Sequence, residues 1–347
     1  VSIQPSEGQP AAVAADDGSV DADTAAVVTG RARATGIGPY FQRYGVLVAF
    51  VAVIIFFSVE KSGSFATLAN LRSVFSGAAP LAVLAAVLTV PMVMGDFDLS
   101  IGYNAQVLGA IAVTLMAFDH VAAGISIVLT LVIGAVIGGL LGTLIARSRV
   151  SAFVITLGAG IFLQGVEFRI TQGHTIFSGL SQSYINLASH TFLTFTLPVW
   201  IALVVSILLW YVTRHTVLGR RMAAVGGNQE AARLSGINVE MMRTAGFVIV
   251  GLGAAVAAII ITSQAASSYP DSASGLLIPA YAGVFLGAAV LRPGEFHVWG
   301  TLIGVLFMEI IQNGLTLMNY SSSTTDVVQG SIFILAVLTS RIGSRRA

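Results

Sequence analysis

Apolar residues run along this chain in ten blocks separated by short polar stretches, at 44–59, 68–94, 100–118, 121–146, 150–168, 197–212, 244–263, 276–291, 298–318 and 327–339. With tilt or partial breaks, each block is long enough to cross a hydrocarbon core of roughly 30 Å as a helix. The pattern predicts an all-α fold, a polytopic transmembrane helical bundle of about ten spans. The second block is over-long and the third begins with polar residues, so a break is expected around Gly95, Asp96, Phe97 and Asp98.

Composition strengthens this reading. Hydrophobic residues make up 56% of the chain and charged residues 10%, against about a quarter charged in soluble domains. A soluble fold would need one very large buried core to hide that surface. The chain has no cysteine, which excludes disulfides, thiolate nucleophiles and cysteine-ligated metals. Residues 1–38 are rich in Ala, Gly, Ser, Thr and Asp, contain no apolar core segment, and lack the basic-then-apolar pattern of a signal peptide. They are expected to form a disordered cytoplasmic tail ahead of a membrane domain at 39–347.

A net charge of +1 says little, but the placement of the 17 basic residues says more. Ten crossings with a cytoplasmic start put fourteen of them inside, including Arg147, Arg149, Arg214, Arg220, Arg221, Arg233 and Arg243. Only Lys61, Arg72 and Arg169 fall outside. That asymmetry follows the positive-inside rule and places both termini in the cytoplasm. Within the spans, Gly134, Gly138 and Gly142 repeat every four residues, and Gly283 with Gly287 and Gly300 with Gly304 share that spacing. Such patterns let helices approach closely and describe packing more readily than a site.

The informative polar segment is 214–243, which carries five arginines and two glutamates. Gly226 and Gly227 allow a turn, Asn228 suits an N-cap, and Gln229 to Ser235 can form a short helix that Gly236 stops. Glu230 and Arg233 sit three apart and can pair. Ala231, Ala232 and Leu234 give the helix a small apolar surface that could lie in a partner's groove. On composition alone, an ordinary solvated connector is the favoured reading of the segment, since solvated charge runs are the common case.

The run Leu218-Gly219-Arg220, followed by Ala224-Val225-Gly226-Gly227-Asn228-Gln229-Glu230-Ala231-Ala232-Arg233-Leu234-Ser235-Gly236-Ile237, resembles the cytoplasmic coupling loop of ribose-type ABC importer permeases. Asp98-Leu99-Ser100-Ile101-Gly102 is similar to that family's Asp-Leu-Ser-Val-Gly motif. Arg149-Val150-Ser151-Ala152-Phe153 resembles its Arg-Val-x-Ala-Phe motif, and Trp299 to Gly304 with Asn313-Gly314-Leu315 resembles its penultimate span. The likeness covers nearly all of the chain after the tail. It implies the permease subunit of an importer in a prokaryotic cell membrane, moving a monosaccharide, sugar alcohol or related small polar solute. The chain departs from the ribose pattern at Gly95-Asp96-Phe97, at Glu309 and in the 291–296 connection, so pentoses, hexoses and sugar alcohols all stay open.

The resemblance also implies a division of labour. The only lysine is Lys61, preceded by Glu60, so no phosphate-cradling Walker lysine exists in the chain. No cofactor is expected on it, and ATP and Mg belong to a separate ATP-binding subunit that receives Gly226, Gly227, Asn228, Glu230, Ala231, Ala232, Arg233, Leu234 and Gly236. An extracytoplasmic solute-binding protein serves the opposite face, and a second permease copy, as a homodimer, encloses one path. Neither nucleic acid nor metal is implied. Polar groups that lipid would penalise are candidates to line the path: Asp96, Asp98, Ser100 and Asn104 at the broken junction, and Glu309, Gln312 and Asn313 on one helix face. For the first cluster the alternative is helix capping, and for the second it is hydrogen bonding between helices.

The third and eighth spans, short and preceded by polar residues, occupy matching places in segments two to five and seven to ten, which suggests inverted repeats. Two rival classes stand beside the importer. In a proton-coupled secondary transporter, Asp96, Glu167 or Glu309 would titrate. An intramembrane enzyme lacks support, since there is no cysteine nucleophile and no His-Glu-x-x-His zinc motif.

Overall fold

The computed structural model describes residues 38–148, 150–290 and 294–344. The expected tail therefore lies outside the described residues except for Gly38, as do Arg149 of the Arg-Val-x-Ala-Phe motif, residues 291–293 and the last three residues. The chain divides into a unit at Val1–Pro39 and a helical unit at Tyr40–Ala347.

Ten helices occupy the ten expected blocks: α1 (Gly38–Glu60), α2 (Leu68–Val93), α3 (Ile101–Ala117), α4 (Ala123–Ser148), α5 (Ala152–Thr171), α7 (Leu197–His215), α10 (Val239–Ala265), α11 (Leu277–Val290), α12 (Val298–Leu317) and α13 (Ser322–Ser344). Six of them, α2, α4, α5, α7, α10 and α12, are long and apolar enough to cross a membrane unaided, and the other four contain shorter apolar helices. Among the described residues, three short α-helices lie between them, α6 (Gln182–Ser189), α8 (Val217–Gly227) and α9 (Gln229–Leu234), with one 3-10 turn at Ser274–Leu276. The sequence pattern gave no sign of α6 or of the two-stranded hairpin that pairs β1 (Thr191–Phe192) with β2 (Phe195–Thr196), because both are too short and too polar for an apolar block.

The central helix is α2. Its stretch from Val83 to Leu88 is at most 2% exposed, and it touches α7, α10, α11 and α12. The second closely packed axis is the pairing of α4 with α10. Gly134, Gly138 and Gly142 all face α10, where an added Cβ would strike the Gly251 carbonyl, the Phe247 carbonyl and Thr244 respectively. Gly283 and Gly287 of α11 meet Gly304 and Gly300 of α12 in the same way. Small residues at four-residue spacing let backbones approach closely, so dispersion replaces the hydrophobic drive that lipid does not supply.

The contacts follow an exchange pattern. α2 packs on α12 while α10 packs on α4, and α3 packs on α4 and α5 while α11 packs on α12 and α13. This correspondence pairs α2–α5 with α10–α13, as the sequence suggested. Both α3 and α11 are short, and both follow irregular chain, at 94–100 and at 266–273, the latter entering α11 through a 3-10 turn at Ser274–Leu276. Discontinuous helices at matching places in two halves are a recurring device of transport proteins.

Charge is divided between the two ends of the bundle. Arg147, Arg214, Arg220, Arg221, Arg233 and Arg243 lie at the end carrying the 214–243 segment, whereas Lys61, Arg72 and Arg169 lie at the opposite one. Because the α4–α10 contact leaves no room for a side chain, Gly138→Leu should destabilise the bundle by about 1–3 kcal/mol, the usual scale of core overpacking. Gly124→Ala, where a Cβ meets nothing within 4 Å, should be silent. Thermal midpoints of the detergent-solubilised protein check both, and an unshifted Gly138→Leu would remove the close-packing account.

Candidate functional site

The polar segment folds into two consecutive helices beneath the bundle. Thr216 caps α8 by accepting from the Gly219 amide at 3.3 Å, and Asn228 caps α9 by accepting from the Ala231 amide at 3.0 Å. Ser235 follows as the C-cap and Gly236 sits at φ +80°, so the chain turns away there without a Cβ penalty. Glu230 and Arg233 come within 3.8 Å, both largely exposed. Ala232 is buried against the bundle, while Leu234 is 82% exposed. The small helix thus shows one apolar residue to its own protein and a larger one outward, with Ala231 exposed beside it.

One expectation needs correction. Gly226 and Gly227 do not form a turn, since both continue α8 and the break falls at Asn228, whose backbone is extended. Gly227 has no positive φ and no neighbour within 4 Å of an added Cβ, whereas at Gly226 that atom would collide with the Val93 carbonyl at the end of α2. Close approach, rather than a special dihedral, requires glycine here, and it requires it at Gly226.

Directly above, the chain unwinds between α2 and α3. The Asp96 carboxylate receives two hydrogen bonds from Arg243 of α10, Nε to Oδ2 at 2.7 Å and Nη2 to Oδ1 at 2.6 Å. Both groups are largely buried, and Arg243 Nη1 lies 3.4 Å from the Ile145 carbonyl near the end of α4. A bidentate fork of this kind fixes orientation as well as distance. Asp98 closes the local turn, its Oδ1 accepting from the Ser100 amide at 2.8 Å and from the Ser100 hydroxyl at 2.6 Å. The Tyr281 hydroxyl accepts from the Asp98 amide at 2.8 Å and donates to the Asp98 carbonyl at 2.9 Å. The Thr156 hydroxyl accepts from the Leu99 amide at 3.0 Å. Asn104 is buried one turn into α3, and its Oδ1 has no hydrogen-bond partner among the described residues.

The other predicted group divides. Asn313 exchanges two hydrogen bonds with Asn70 of α2, at 2.9 and 3.0 Å, and Gln312 Oε1 accepts from Gln329 of α13 at 2.9 Å. These amides tie helices together. Glu309 shares the α2-facing side with Asn313 and abuts Gly77, where an added Cβ would meet its carboxylate. Sequence reasoning did not find the Gln106–Glu167–Thr171 cluster, in which Glu167 accepts from Gln106 at 3.1 Å and from the Thr171 hydroxyl at 3.2 Å. Nor did it find Tyr281, Thr156 or Arg243 as partners of the junction.

Two cavities indent the bundle from opposite ends. One of about 720 Å³ opens beside α8 and is lined by Thr89, Trp210, Arg214, Gly226, His297 and Trp299. The other, about 610 Å³, is lined by Arg72, Ser73, Ser76, Ser189, Thr196 and Gln264. Between them the interior of α2 is filled.

A polytopic bundle with interrupted helices in both halves, a cavity at each end and a capped helix displayed at the charged end is built as a membrane translocation subunit. The chain belongs to the family described as "Branched-chain amino acid transport system / permease component", whose model matches residues 70–337. It is 32% identical over 298 residues to the ribose import permease protein RbsC of Escherichia coli (strain K12), covering 84% of this chain and 90% of that one. It is 28% identical over 314 residues to the L-arabinose ABC transporter permease protein AraH of Azospirillum brasilense, covering 90% and 91%. It is 26% identical to the xylose transport system permease protein XylH of Escherichia coli (strain K12), covering 88% and 93%. No solved structure matches the chain.

Breaking a buried, hydrogen-bonded ion pair costs about 3–5 kcal/mol because the remaining charge is stranded. Asp96→Ala and Arg243→Ala should therefore each lower the thermal midpoint sharply, and the double variant should be less unstable than the sum of the two. Additive losses in that double-mutant cycle would show that the two groups do not depend on each other.

Proposed function

We propose that this chain is the membrane-spanning subunit of an ATP-driven importer for a sugar or sugar-like polar solute, working with an ATP-binding subunit, an extracytoplasmic binding protein and a second copy of itself. The observation that carries the reading is the α8–α9 unit. It is anchored to the end of α2 through Gly226 and presents Leu234 outward with nothing among the described residues to cover it. Such a side chain fits a groove on a partner. The charged end then faces the cytoplasm, in accord with the positive-inside rule, and both termini lie there.

Sugar as the solute class is supported by the ribose, arabinose and xylose named in the relatives' titles. A route between two copies is supported by the filled centre of the bundle and by the apolar face of α5, where Leu157, Ile161 and Phe162 are exposed. The absence of a Walker lysine supports a separate motor, with ATP and Mg bound there. Of the three acids a proton-coupled mechanism would use, Asp96 is held by Arg243 and Glu167 by Gln106 and Thr171, while Glu309 stands against Gly77.

Orientation is testable because the chain carries no cysteine of its own. Asn228→Cys should label only from the cytoplasm and Ser183→Cys only from outside. Tyr184 is unsuitable for this purpose, being fully buried against Thr262. Exterior labelling at position 228 in intact cells would reverse the assignment.

Coupling is tested separately. Leu234→Asp, and the paired reversal of Glu230 and Arg233, should lower transport and solute-stimulated ATPase by tenfold or more in the reconstituted complex. An exposed ion pair contributes at most about 1 kcal/mol to stability, so insertion and folding should be unaffected. Full stimulation in both variants would return α9 to the status of a simple connector.

A further inference from the structure

The chain has three tryptophans, and all three line two neighbouring cavities. Trp200 stands in an apolar cavity of about 270 Å³ between α2, α7 and α12, whose α2 wall is Ala78, Ala79 and Ala82. Trp210 and Trp299 line the cavity of about 720 Å³ beside α8, together with Thr89 and Arg214. The two cavities lie end to end on the same three helices. On α7 the lining passes from Leu203 and Ser206 in the first to Trp210 and Thr213 in the second, in steps of three or four residues. On α12 it passes from Val305 and Leu302 to Val298 in the same steps, and on α2 from Ala82 to Thr89, two turns on. Such steps keep to one helix face. A single furrow therefore runs over α2, between α7 and α12, down to the charged end of the bundle. Both flanking helices pack on α2, and three alanines keep the floor low between them. Near the charged end, Trp210 and Trp299 meet with ring centroids 6.2 Å apart and planes 60° apart.

The chemistry of the furrow changes along its length. In the apolar cavity the polar side-chain groups among the described residues are the Ser206 hydroxyl and the Trp200 indole. Both are already bonded, Ser206 to the Ala202 carbonyl at 2.7 Å and Trp200 to the Phe192 carbonyl at 3.1 Å. A polyol placed there would lose its hydrogen bonds to water and gain none. The charged end is the reverse. Arg214, in the last turn of α7, and the indole N–H groups of Trp210 and Trp299 have no hydrogen-bond or ion-pair partner among the described residues. The Thr89 and Thr213 hydroxyls donate back into their own helices, and Glu295 and His297, which also line this cavity, have interactions of their own. Three donors without acceptors thus gather at one mouth, one of them a guanidinium suited to phosphate oxygens. The complementary ligand is anionic and acceptor-rich at one end and apolar beyond it.

We infer that the furrow holds one phospholipid of the leaflet at the charged end, with its phosphate on Arg214, Trp210 and Trp299 and an acyl chain along Ala82, Ala79 and Ala78. The lengths agree. Thr89 and Ala79 are ten residues apart, about 15 Å along α2, which is half of a hydrocarbon core of roughly 30 Å. Indoles at the level of the headgroup, and basic pockets between helices that take lipid phosphate, are both expected at a membrane interface. Gly226 lines the same cavity, so the headgroup rests against α8 and supports the seat of the displayed helix pair. Which leaflet this is follows the orientation proposed above, whereas the binding itself does not depend on that orientation or on the solute carried.

Because all three tryptophans line the furrow, intrinsic fluorescence reports its occupancy. The full-length chain in detergent is titrated with phosphatidylglycerol brominated on its acyl chains, which quenches nearby indoles. Wild type should be quenched saturably. Arg214→Ala should raise the half-saturating lipid concentration tenfold or more, while Arg214→Lys and Arg221→Ala, the latter removing an exposed arginine of α8 at the same end, should stay within threefold of wild type. Ala79→Leu, which fills the floor, should also raise it tenfold, and Leu203→Gln at the exposed rim tests the same groove should the larger side chain impair folding. Brominated diacylglycerol, which lacks the phosphate, should bind at least tenfold more weakly, and neither inorganic phosphate nor D-ribose should displace the phospholipid. Equal titrations of wild type, Arg214→Ala and Leu203→Gln would overturn the site and leave the furrow as ordinary lipid-facing surface. Equal losses in Arg214→Ala and Arg221→Ala, or equal binding of diacylglycerol, would overturn it as well. Displacement by inorganic phosphate or by ribose would instead give the lower cavity to a free anion or to the transported solute, and would equally sink the lipid assignment.

Discussion

Wherever this chain leaves helical geometry inside a bilayer, its peptide groups have no water to bond, and every orphaned amide or carbonyl costs several kcal/mol. That constraint shapes the middle of the molecule. Between α2 and α3 the backbone is irregular from Met94 to Ser100, and three side chains satisfy it. Tyr281 takes both the amide and the carbonyl of Asp98, Thr156 takes the amide of Leu99, and the Asp98 carboxylate takes the amide of Ser100. The buried hydroxyls and carboxylate of this region act as substitutes for a missing turn of helix. Tyr281 and Thr156 come from α11 and α5, so the unwound segment can exist only once both halves of the bundle are in place.

Close packing follows from the same lack of solvent. The glycine seams between α4 and α10 and between α11 and α12 bring backbones together at matching places in the two halves, and they bracket α2 on both sides. Helices held this tightly move as units, because a core at crystal-like density has few intermediate arrangements. The irregular segments at 94–100 and 266–273 are then the places where one unit can shift relative to another. Neither is free to drift, since each is pinned by hydrogen bonds to α5.

Much of this was legible in the sequence where the signal is local. Ten apolar blocks gave ten helices. The Asn228 cap, the Gly236 stop and the Glu230–Arg233 pair were all readable because the partners lie within a few residues. Four-residue glycine spacing likewise named the packed faces. What could not be read were the long-range partners: Tyr281 lies 183 positions from Asp98, and Arg243 lies 147 from Asp96. A sequence shows that a buried aspartate needs a partner and does not show which arginine supplies it. Gly226 was misjudged for the same reason, since its requirement comes from a carbonyl at the end of α2. For the amides at 312 and 313 helical spacing left two readings open, a path or hydrogen bonds between helices, and their bonding atoms turn to α13 and α2.

The buried ion pair gains its meaning from what lies on each side of it. Arg243 stands in the second turn of α10, a few residues after α9, while Asp96 adjoins Phe97 at the start of the unwound segment. A displacement of α9 reaches Arg243 through only the short Ser235–Asn238 link and the N-terminal turn of α10, whose cap Asn238 accepts from Met241 at 2.9 Å. From Arg243 the two-pronged contact reaches the Asp96 carboxylate, and one peptide unit further stands the Phe97 ring. A second, independent line runs from α8 through Gly226 to the carbonyl of Val93 and the end of α2. Salt at physiological strength screens exposed charges over about 8 Å and leaves a largely buried pair much less affected, so the ionic line keeps its stiffness where a surface bridge would not. The helix displayed at the charged end is thereby joined to the α2–α3 junction by one steric contact and one bidentate ionic contact.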